Sequence, residues 1–118
     1  MAMARAFELF AYGSLKRGFR HHELLAGAEF RGEVATAAGY HLVVLGEYPA
    51  LAEGGDGSVF GELYAVESAL LARLDEFEGP EYERRDVRLA SGATAHAYFA
   101  RMPALALSRF PGSAWDRR

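Results

Sequence analysis

Alternating apolar and polar positions near the start of the chain predict a β-strand. Between Phe7 and Tyr12, one face carries Phe7, Leu9 and Ala11, and the other carries Glu8, Phe10 and Tyr12. The Gly13-Ser14 pair breaks this pattern and predicts a loop. Two later stretches rich in apolar residues, Ala35 to Leu45 and Val59 to Val66, predict further strands, with Gly61 as a candidate β-bulge.

One segment has helical periodicity instead. Apolar residues recur on one helical face at Leu70, Leu71, Leu74 and Phe77. Ser68 is a suitable N-cap, and Gly79-Pro80 ends the pattern, so the helix is expected to run from Ser68 to about Glu78. A shorter polar segment, Arg17 to Gly27, is a second candidate for a helical turn.

Two segments in the second half of the chain predict a β-hairpin. Tyr82 to Leu89 and Thr94 to Phe99 flank the turn-forming pair Ser91-Gly92. Many strands and one clear helix indicate the α+β class, and we predict a small mixed β-barrel with one main helix.

The chain shows no sequence feature that marks a domain boundary. It contains no internal repeat, low-complexity tract or Pro/Ser-rich linker. Residues 1–118 are therefore expected to form a single domain, with a core at about 7–100 and a C-terminal tail at 101–118. The last part of that tail, Arg109 to Arg118, ends in arginines and is expected to be loose.

Composition and charge narrow the classes of function. With 51% hydrophobic and 25% charged residues, a chain of 118 residues can form one core without a metal or disulfide. The absence of cysteine excludes thiol nucleophiles and Cys-based zinc sites. A net charge of −3 lacks the basic excess typical of nucleic-acid binding, so no nucleic-acid partner is expected.

The distribution of apolar residues argues against a membrane protein. No stretch approaches the roughly 20 apolar residues that span a bilayer. Near the N-terminus, Arg5 and Glu8 interrupt the sequence before a signal-like apolar run develops. A cytoplasmic location is therefore the expectation.

Glu78 is the first candidate for chemistry. It falls on the same helical face as the leucines, whereas Asp75 and Glu76 fall on the predicted solvent side. A carboxylate in apolar surroundings has its pKa raised from about 4.3 toward the range in which a general base works near neutral pH. The alternative is a frayed helix end at which Glu78 turns to water.

The loop from Tyr12 to Gly18 is the second candidate. A glycine-bracketed loop after a strand can leave successive backbone N–H groups convergent on a carboxylate or an oxyanion, or it can be a simple tight turn. It is not a phosphate-binding P-loop, because Phe19-Arg20 stands where Lys and Ser/Thr are required. Ser14 also lacks the context of a nucleophile elbow.

Other conspicuous residues are interpreted as structural. His21 and His22 are adjacent and lack a spaced third ligand, so they are expected at the surface and no metal site is expected. Arg84, Arg85 and Arg88 form either a solvated basic face or a contact for a substrate carboxylate.

Several short motifs match one family in their order and spacing over roughly residues 7 to 100. They are Phe10 to Gly18 (FAYGSLKRG), Leu24 to Ala28 (LLAGA), Gly46 to Leu51 (GEYPAL), Val59 to Tyr64 (VFGELY), and Leu74 to Gly79 (LDEFEG) followed by Tyr82 and Arg84. With these motifs the chain resembles the γ-glutamylcyclotransferase superfamily, in particular its small members related to γ-glutamylamine cyclotransferase and the AIG2-like proteins.

The resemblance implies an enzyme, a compact mixed barrel with a cavity, and a set of site residues. Enzymes of this family cyclise a γ-glutamyl group to 5-oxoproline and release the attached amine or amino acid. The matching proton acceptor is Glu78. The residues that match the substrate-binding positions are Tyr12, Gly13, Ser14, Leu15 and Tyr82. The expected partner is a small-molecule γ-glutamyl substrate, and neither a cofactor nor a metal is expected.

Three alternatives stay open at this stage. The chain could be a catalytically silent module that binds a small carboxylate, or its cavity could serve a different small acid. It could also be a γ-glutamyl hydrolase, which would release glutamate instead of 5-oxoproline.

Overall fold

The computed structural model describes residues 6–103 and 106–118, and its elements confirm the α+β class. The strands are β1 (Ala6–Ala11), β2 (Glu29–Ala35), β3 (Tyr40–Leu45), β4 (Tyr48–Glu53), β5 (Phe60–Glu67), β6 (Tyr82–Arg88), β7 (Thr94–Ala100) and β8 (Ser108–Arg109). A 3₁₀ helix covers His22–Leu25, and the helix α1 covers Ser68–Glu78. The predicted hairpin corresponds to β6 and β7.

The strands form one mixed sheet that curls into a half-barrel. Its order is β2-β5-β1-β7-β4-β3-β8, and β6 pairs with β7. Beyond the ends of β2 and β6, Thr36 and Leu89 form an antiparallel bridge. The Ala37 N–H also donates to the Arg88 carbonyl at 2.9 Å, and these contacts bring the two ends of the curl together.

The sheet splits along one edge of β7. Antiparallel β6 occupies the other edge along the whole length of β7. The remaining edge of β7 therefore pairs with two parallel strands, with β1 at His96 and with β4 at Phe99. Because β4 pairs further along β7 than β1 does, the loop that follows β1 leaves the sheet next to β4.

Of the three clusters of apolar side chains in the described residues, two make up most of the core. The larger one includes Phe10, Leu42, Leu51, Phe99 and Trp115, each at most 1% exposed. The other lies under α1, which buries Leu70, Leu71 and Leu74 as its periodicity predicts. Phe77, expected on the same face, is 42% exposed. No helix in the described residues has the length and apolar character needed to cross a bilayer.

The strand predictions were wrong between residues 29 and 53. The chain leaves β2 at Ala35 and starts β3 at Tyr40, so the expected strand from 35 to 45 is in fact the junction of two strands. Gly39, with φ +109°, lies in the turn between them. Neither β2 nor β4 was predicted, because β2 is largely exposed and polar and β4 contains Pro49, which is unfavourable in most strands.

Two local predictions were also wrong. The N-cap of α1 is Glu67, without a side-chain capping bond, and Ser68 is already helical. Gly61 pairs regularly with Val34, and the irregularity in this ladder lies in β2 between Phe30 and Gly32. Gly61 has another role, since a Cβ there would lie 2.5 Å from the Ala11 carbonyl oxygen.

The C-terminal segment is packed, so the prediction of a loose tail was wrong. Trp115 is 1% exposed and joins the larger cluster, with its ring centroid 5.0 Å from that of Phe110. The Ser113 carbonyl accepts a hydrogen bond from the Phe60 N–H at 2.8 Å. Lys16 Nζ donates to the Trp115 carbonyl at 2.7 Å, which ties the tail to the loop after β1.

Candidate active site

A cavity of about 310 Å³ lies where β1, the end of α1 and the start of β6 meet. Its lining includes all six residues that the family resemblance assigned to the site: Tyr12, Gly13, Ser14, Leu15, Glu78 and Tyr82. Its volume is near the lower end of the range for small-molecule sites. The fold therefore brings two segments more than 60 residues apart along the chain into one site.

The loop after β1 presents free backbone donors to this cavity. The carbonyls of Gly13 and Ser14 accept hydrogen bonds from the N–H groups of Lys16 and His21, at 3.1 and 2.9 Å. Within residues 6–103 and 106–118, the N–H groups of Gly13, Ser14 and Leu15 donate to no protein acceptor. Such consecutive free donors form a binding surface for an anion or an oxyanion.

Gly13 is required by the close approach of another strand. A Cβ at this position would lie 2.7 Å from Cγ of Pro49 in β4, closer than real Cβ contacts come. The absence of a side chain therefore allows the loop to lie against β4.

Tyr12 supports the site through its hydroxyl. That hydroxyl donates to the Tyr98 carbonyl in β7 and accepts from the Leu51 N–H in β4 at 3.1 Å. It thus ties the loop after β1 to both β7 and β4, where the edge of β7 passes from β1 to β4. Burial, with the nearby Glu78 carboxylate as a smaller cause, raises the pKa of Tyr12 well above its ordinary value, so the phenol stays protonated.

Glu78, the last residue of α1, is half-buried at the cavity wall. The helix ends directly after it, because Gly79 adopts φ +78° and its N–H donates to the Asp75 carbonyl at 3.2 Å. In the part of the chain that the structure describes, no cation pairs with the Glu78 carboxylate and no donor hydrogen-bonds to it. Burial raises its pKa to about 7, so the group can hold or release a proton near neutral pH.

Tyr82 closes one side of the cavity at the start of β6. Its hydroxyl donates to the Pro49 carbonyl at 2.9 Å, so its ring lines the cavity while its polar end is held by β4. Burial, with a smaller contribution from the Glu78 carboxylate, raises its pKa above the ordinary value. Tyr82 therefore lines the site as an uncharged phenol near neutral pH.

Asp75, predicted on the solvent side of the helix, is exposed, but it has hydrogen-bond partners that the sequence did not indicate. Although its side chain is 41% exposed, the carboxylate accepts from Arg84 Nε at 2.9 Å and from the Tyr98 hydroxyl at 2.7 Å. Partial burial acts to raise the pKa of Asp75, but these two hydrogen bonds and the Arg84 charge outweigh it and lower the pKa. Since Tyr98 lines the cavity, this network fixes the last turn of α1 against β6 and β7.

The adjacent histidines were predicted at the surface, but both are half-buried. His21 lines the cavity, with Nδ1 3.0 Å from Ser14 Oγ and its ring centroid 4.9 Å from that of Phe77. His22 Nδ1 lies 2.9 Å from the Leu15 carbonyl. Both contacts join residues seven apart, because the chain turns back at Gly18, which has φ +82°. Gly18 is the one feature of the sequence that indicated this reversal of the chain.

The arginines of β6 do not belong to the cavity. Arg84 pairs with Asp75, and Arg85 lies 3.5 Å from Glu53 with its guanidinium 4.2 Å from the Phe99 ring centre. None of Arg84, Arg85 and Arg88 lines the site. Over the described residues, no group of three or more His, Asp or Glu side chains is placed to hold a metal ion.

Comparison with known proteins shows the family to which the chain belongs. The chain belongs to the family described as gamma-glutamyl cyclotransferase, AIG2-like, which it matches over residues 9–117. The match confirms the family and the class of enzyme that the motifs indicated.

Individual relatives are similar in sequence and fold. A putative gamma-glutamylcyclotransferase of Vibrio cholerae is 40% identical over 91 residues, covering 76% of this chain and 78% of the relative. A gamma-glutamylaminecyclotransferase of Bos taurus is 39% identical over 97 residues, and there the match covers 73% of this chain but only 58% of the relative. The crystal structure of an AIG2-like protein from Mus musculus superposes with a TM-score of 0.78 at 28% identity, covering 95% of this chain and 89% of that one.

Proposed function

We propose that this protein cyclises a γ-glutamyl group to 5-oxoproline and releases the attached amine, with Glu78 as general base and general acid. The substrate's α-ammonium gives a proton to the Glu78 carboxylate, and its nitrogen attacks the γ-carbonyl carbon to close a five-membered ring. As this intermediate collapses, the ring nitrogen loses its second proton and the bond from that carbon to the leaving nitrogen breaks. The leaving nitrogen takes up both protons, one of them from Glu78, and departs as an ammonium group. The two products contain every atom of the substrate, so no water or cofactor is consumed.

The observation that carries this proposal is the state of Glu78. It is a half-buried carboxyl group with no cation partner among the described residues, and its pKa is about 7. A base with this pKa accepts and returns a proton near neutral pH with little energetic cost in either direction. The substrate's ammonium would supply the missing cation.

The loop after β1 supplies the complementary half of the chemistry. Gly13, Ser14 and Leu15, whose N–H groups have no acceptor among the described residues, line the same cavity as Glu78. Backbone donors held in this way stabilise the negative charge that develops on the γ-carbonyl oxygen during attack. A small cavity also keeps the glutamyl chain curled, which brings the amine and the carbonyl within reach of each other.

The test is 5-oxoproline release by Glu78→Gln. The amide keeps the size of the side chain but cannot accept the proton, so kcat on any accepted γ-glutamyl substrate should fall by about 10²-fold to 10⁴-fold. Glu76→Gln is the matched control, because Glu76 is exposed on the same helical turn and does not line the cavity. Equal loss in both variants, or full activity in Glu78→Gln, would remove Glu78 as the base.

The same assay separates the alternative functions. A hydrolase would release glutamate in place of 5-oxoproline. A binding module would release neither product, yet a γ-glutamyl compound would raise its melting temperature.

A further inference from the structure

A second depression of about 320 Å³ adjoins the cavity. It shares Ser14 and Tyr48 with the cavity wall, so the two spaces meet at the loop that carries the free backbone donors. Its other lining residues are Arg20, Gly46, Glu47, Arg117 and Arg118. We call this depression the arginine groove.

Three guanidinium groups give the arginine groove its charge. In the described parts of the chain, no carboxylate lies within ion-pairing distance of Arg20, Arg117 or Arg118. The acid that lines the groove is Glu47, which is exposed in the turn between β3 and β4. Among the side chains that line the groove, three are cationic and one is acidic, although the net charge of the chain is −3.

Aromatic rings and one hydrogen bond position these cations. Arg20 Nη1 donates to the Tyr48 hydroxyl at 3.0 Å, on the wall that the groove shares with the cavity. The Arg118 guanidinium lies 5.4 Å from the centre of the Phe19 ring. A guanidinium held on an aromatic face keeps N–H donors free, and its fork of donors matches a carboxylate.

The proposed function and the position of the groove together indicate what binds there. The reacting carbonyl would lie at the Gly13–Leu15 amides, with the glutamyl chain in the cavity beside Glu78 and Glu81. The leaving group extends from that same carbonyl, and the arginine groove opens from that same loop. We propose that this groove holds the leaving group and that the leaving group carries a carboxylate.

This proposal rests on the proposed function and narrows its substrate class. Preferred substrates are then γ-glutamyl amino acids or peptides, whose released amine bears a carboxylate. Derivatives of neutral or cationic amines lack the group that pairs with the arginines, and cationic ones are repelled by them. The carboxylate of the leaving group thus determines which substrates bind well, and it takes no part in making or breaking bonds.

The experiment uses a pair of substrates that differ only in that charge. γ-Glutamyl-alanine and its C-terminal amide, γ-glutamyl-alaninamide, have nearly the same shape, and 5-oxoproline release is measured for each. We expect kcat/KM to be about 10-fold or more higher for the carboxylate, since a charge-assisted hydrogen bond is lost with the amide. The preference should shrink as salt is raised, because these cations are exposed.

Two arginine variants test whether the preference for the carboxylate substrate depends on the arginine groove. Arg20→Gln should lower the ratio of the two kcat/KM values toward one, mainly through a higher KM for γ-glutamyl-alanine. Arg88→Gln is the control for loss of one positive charge. Arg88 is exposed at the far end of β6, six residues and thus about 20 Å along the strand from Tyr82, and its ratio should stay that of the parent protein.

The outcomes separate this proposal from the one on which it rests. If neither substrate yields 5-oxoproline, the proposed function itself fails. If both yield it with equal kcat/KM, the function stands and the arginine groove does not bind the leaving group. If Arg20→Gln weakens both substrates equally, the groove binds the glutamyl part that they share, and this proposal is overturned.

Discussion

At the scale of single residues, the burial of Glu78 acts against stability and in favour of proton transfer. The carboxyl group has neither a cation nor a hydrogen-bond donor among the described residues to compensate its loss of water. Buried charges elsewhere in proteins are usually paired. A residue held in this condition is typical of a functional site, where local stability is given up for reactivity.

This cost predicts how stability depends on pH. Because the pKa of Glu78 in the folded chain, about 7, lies above its ordinary value of 4.5, the folded chain keeps a proton that the unfolded chain releases between these pH values. Stability due to this group is therefore complete below about pH 4.5 and is lost as pH rises to about 7. Glu78→Gln should be as stable as the parent protein at pH 4 and more stable at pH 8, by up to about 3 kcal/mol.

Urea denaturation of both proteins at pH 4, 6 and 8 measures this difference. Glu76→Gln, which changes an exposed carboxylate on the same helix, should show no such trend. A difference between Glu78→Gln and the parent protein that is the same at pH 4 and pH 8 would mean that Glu78 is not buried as a neutral acid.

At the scale of elements, the last turn of α1 is held in place by Asp75. The carboxylate joins the helix to Arg84 of β6 and Tyr98 of β7, three residues before the proposed base. Neither Asp75 nor Arg84 lines the cavity. Their effect on chemistry would therefore operate through the position of Glu78.

This arrangement predicts the behaviour of Asp75→Asn and Tyr98→Phe. Each should lower the free energy of unfolding by about 1–2 kcal/mol, because each removes one partner of a hydrogen bond at this junction. Each should also reduce kcat, by less than Glu78→Gln does. The double variant should lose less than the sum of the two single losses, since both act on the same bond. Fully additive losses in urea denaturation would show that the two side chains act independently.

The sequence predicted elements well where one face is buried and the other is not. Helix α1 has clear periodicity, whose phase alone placed Glu78 toward the core, and the β6–β7 hairpin was predicted from its Ser91-Gly92 turn. The pattern failed for β2, which has no consistently buried face, and for β4, which is buried over most of its length but begins with Tyr48-Pro49. Strands of these two kinds are defined by their neighbours, and periodicity does not contain that information.

The site residues also fall into two groups, those that the sequence could indicate and those that only the tertiary structure brings to the site. Tyr12 to Leu15 and Glu78 lie in continuous motifs, whereas His21 reaches the cavity only because the chain folds back at Gly18. The partners of Asp75 come from strands that follow the helix. A contact of that kind depends on tertiary structure, so a helical-wheel argument placed Asp75 in solvent.

At the scale of the whole molecule, the two ends of the described chain complete one core. Trp115 packs in the same cluster as Phe10 of β1. Lys16 bonds to the Trp115 carbonyl, so the position of the loop after β1 depends on a residue about 100 positions later. Because apolar residues scattered in a short, arginine-ended segment have no periodicity, this packing could not be predicted from the sequence.

The missing cation beside Glu78 also has a consequence for the end of the proposed catalytic cycle. An ionised Glu78 attracts the α-ammonium of the substrate. Ring closure converts that ammonium into the neutral lactam N–H of 5-oxoproline, which keeps its carboxylate. Once the leaving amine has taken its proton, Glu78 is again negative and repels the 5-oxoproline anion, so turnover itself weakens product binding. The Kd of 5-oxoproline, measured by calorimetry, should therefore rise with pH through about 7 in the parent protein and stay constant in Glu78→Gln. Equal pH dependence in both would show that product release owes nothing to this carboxylate.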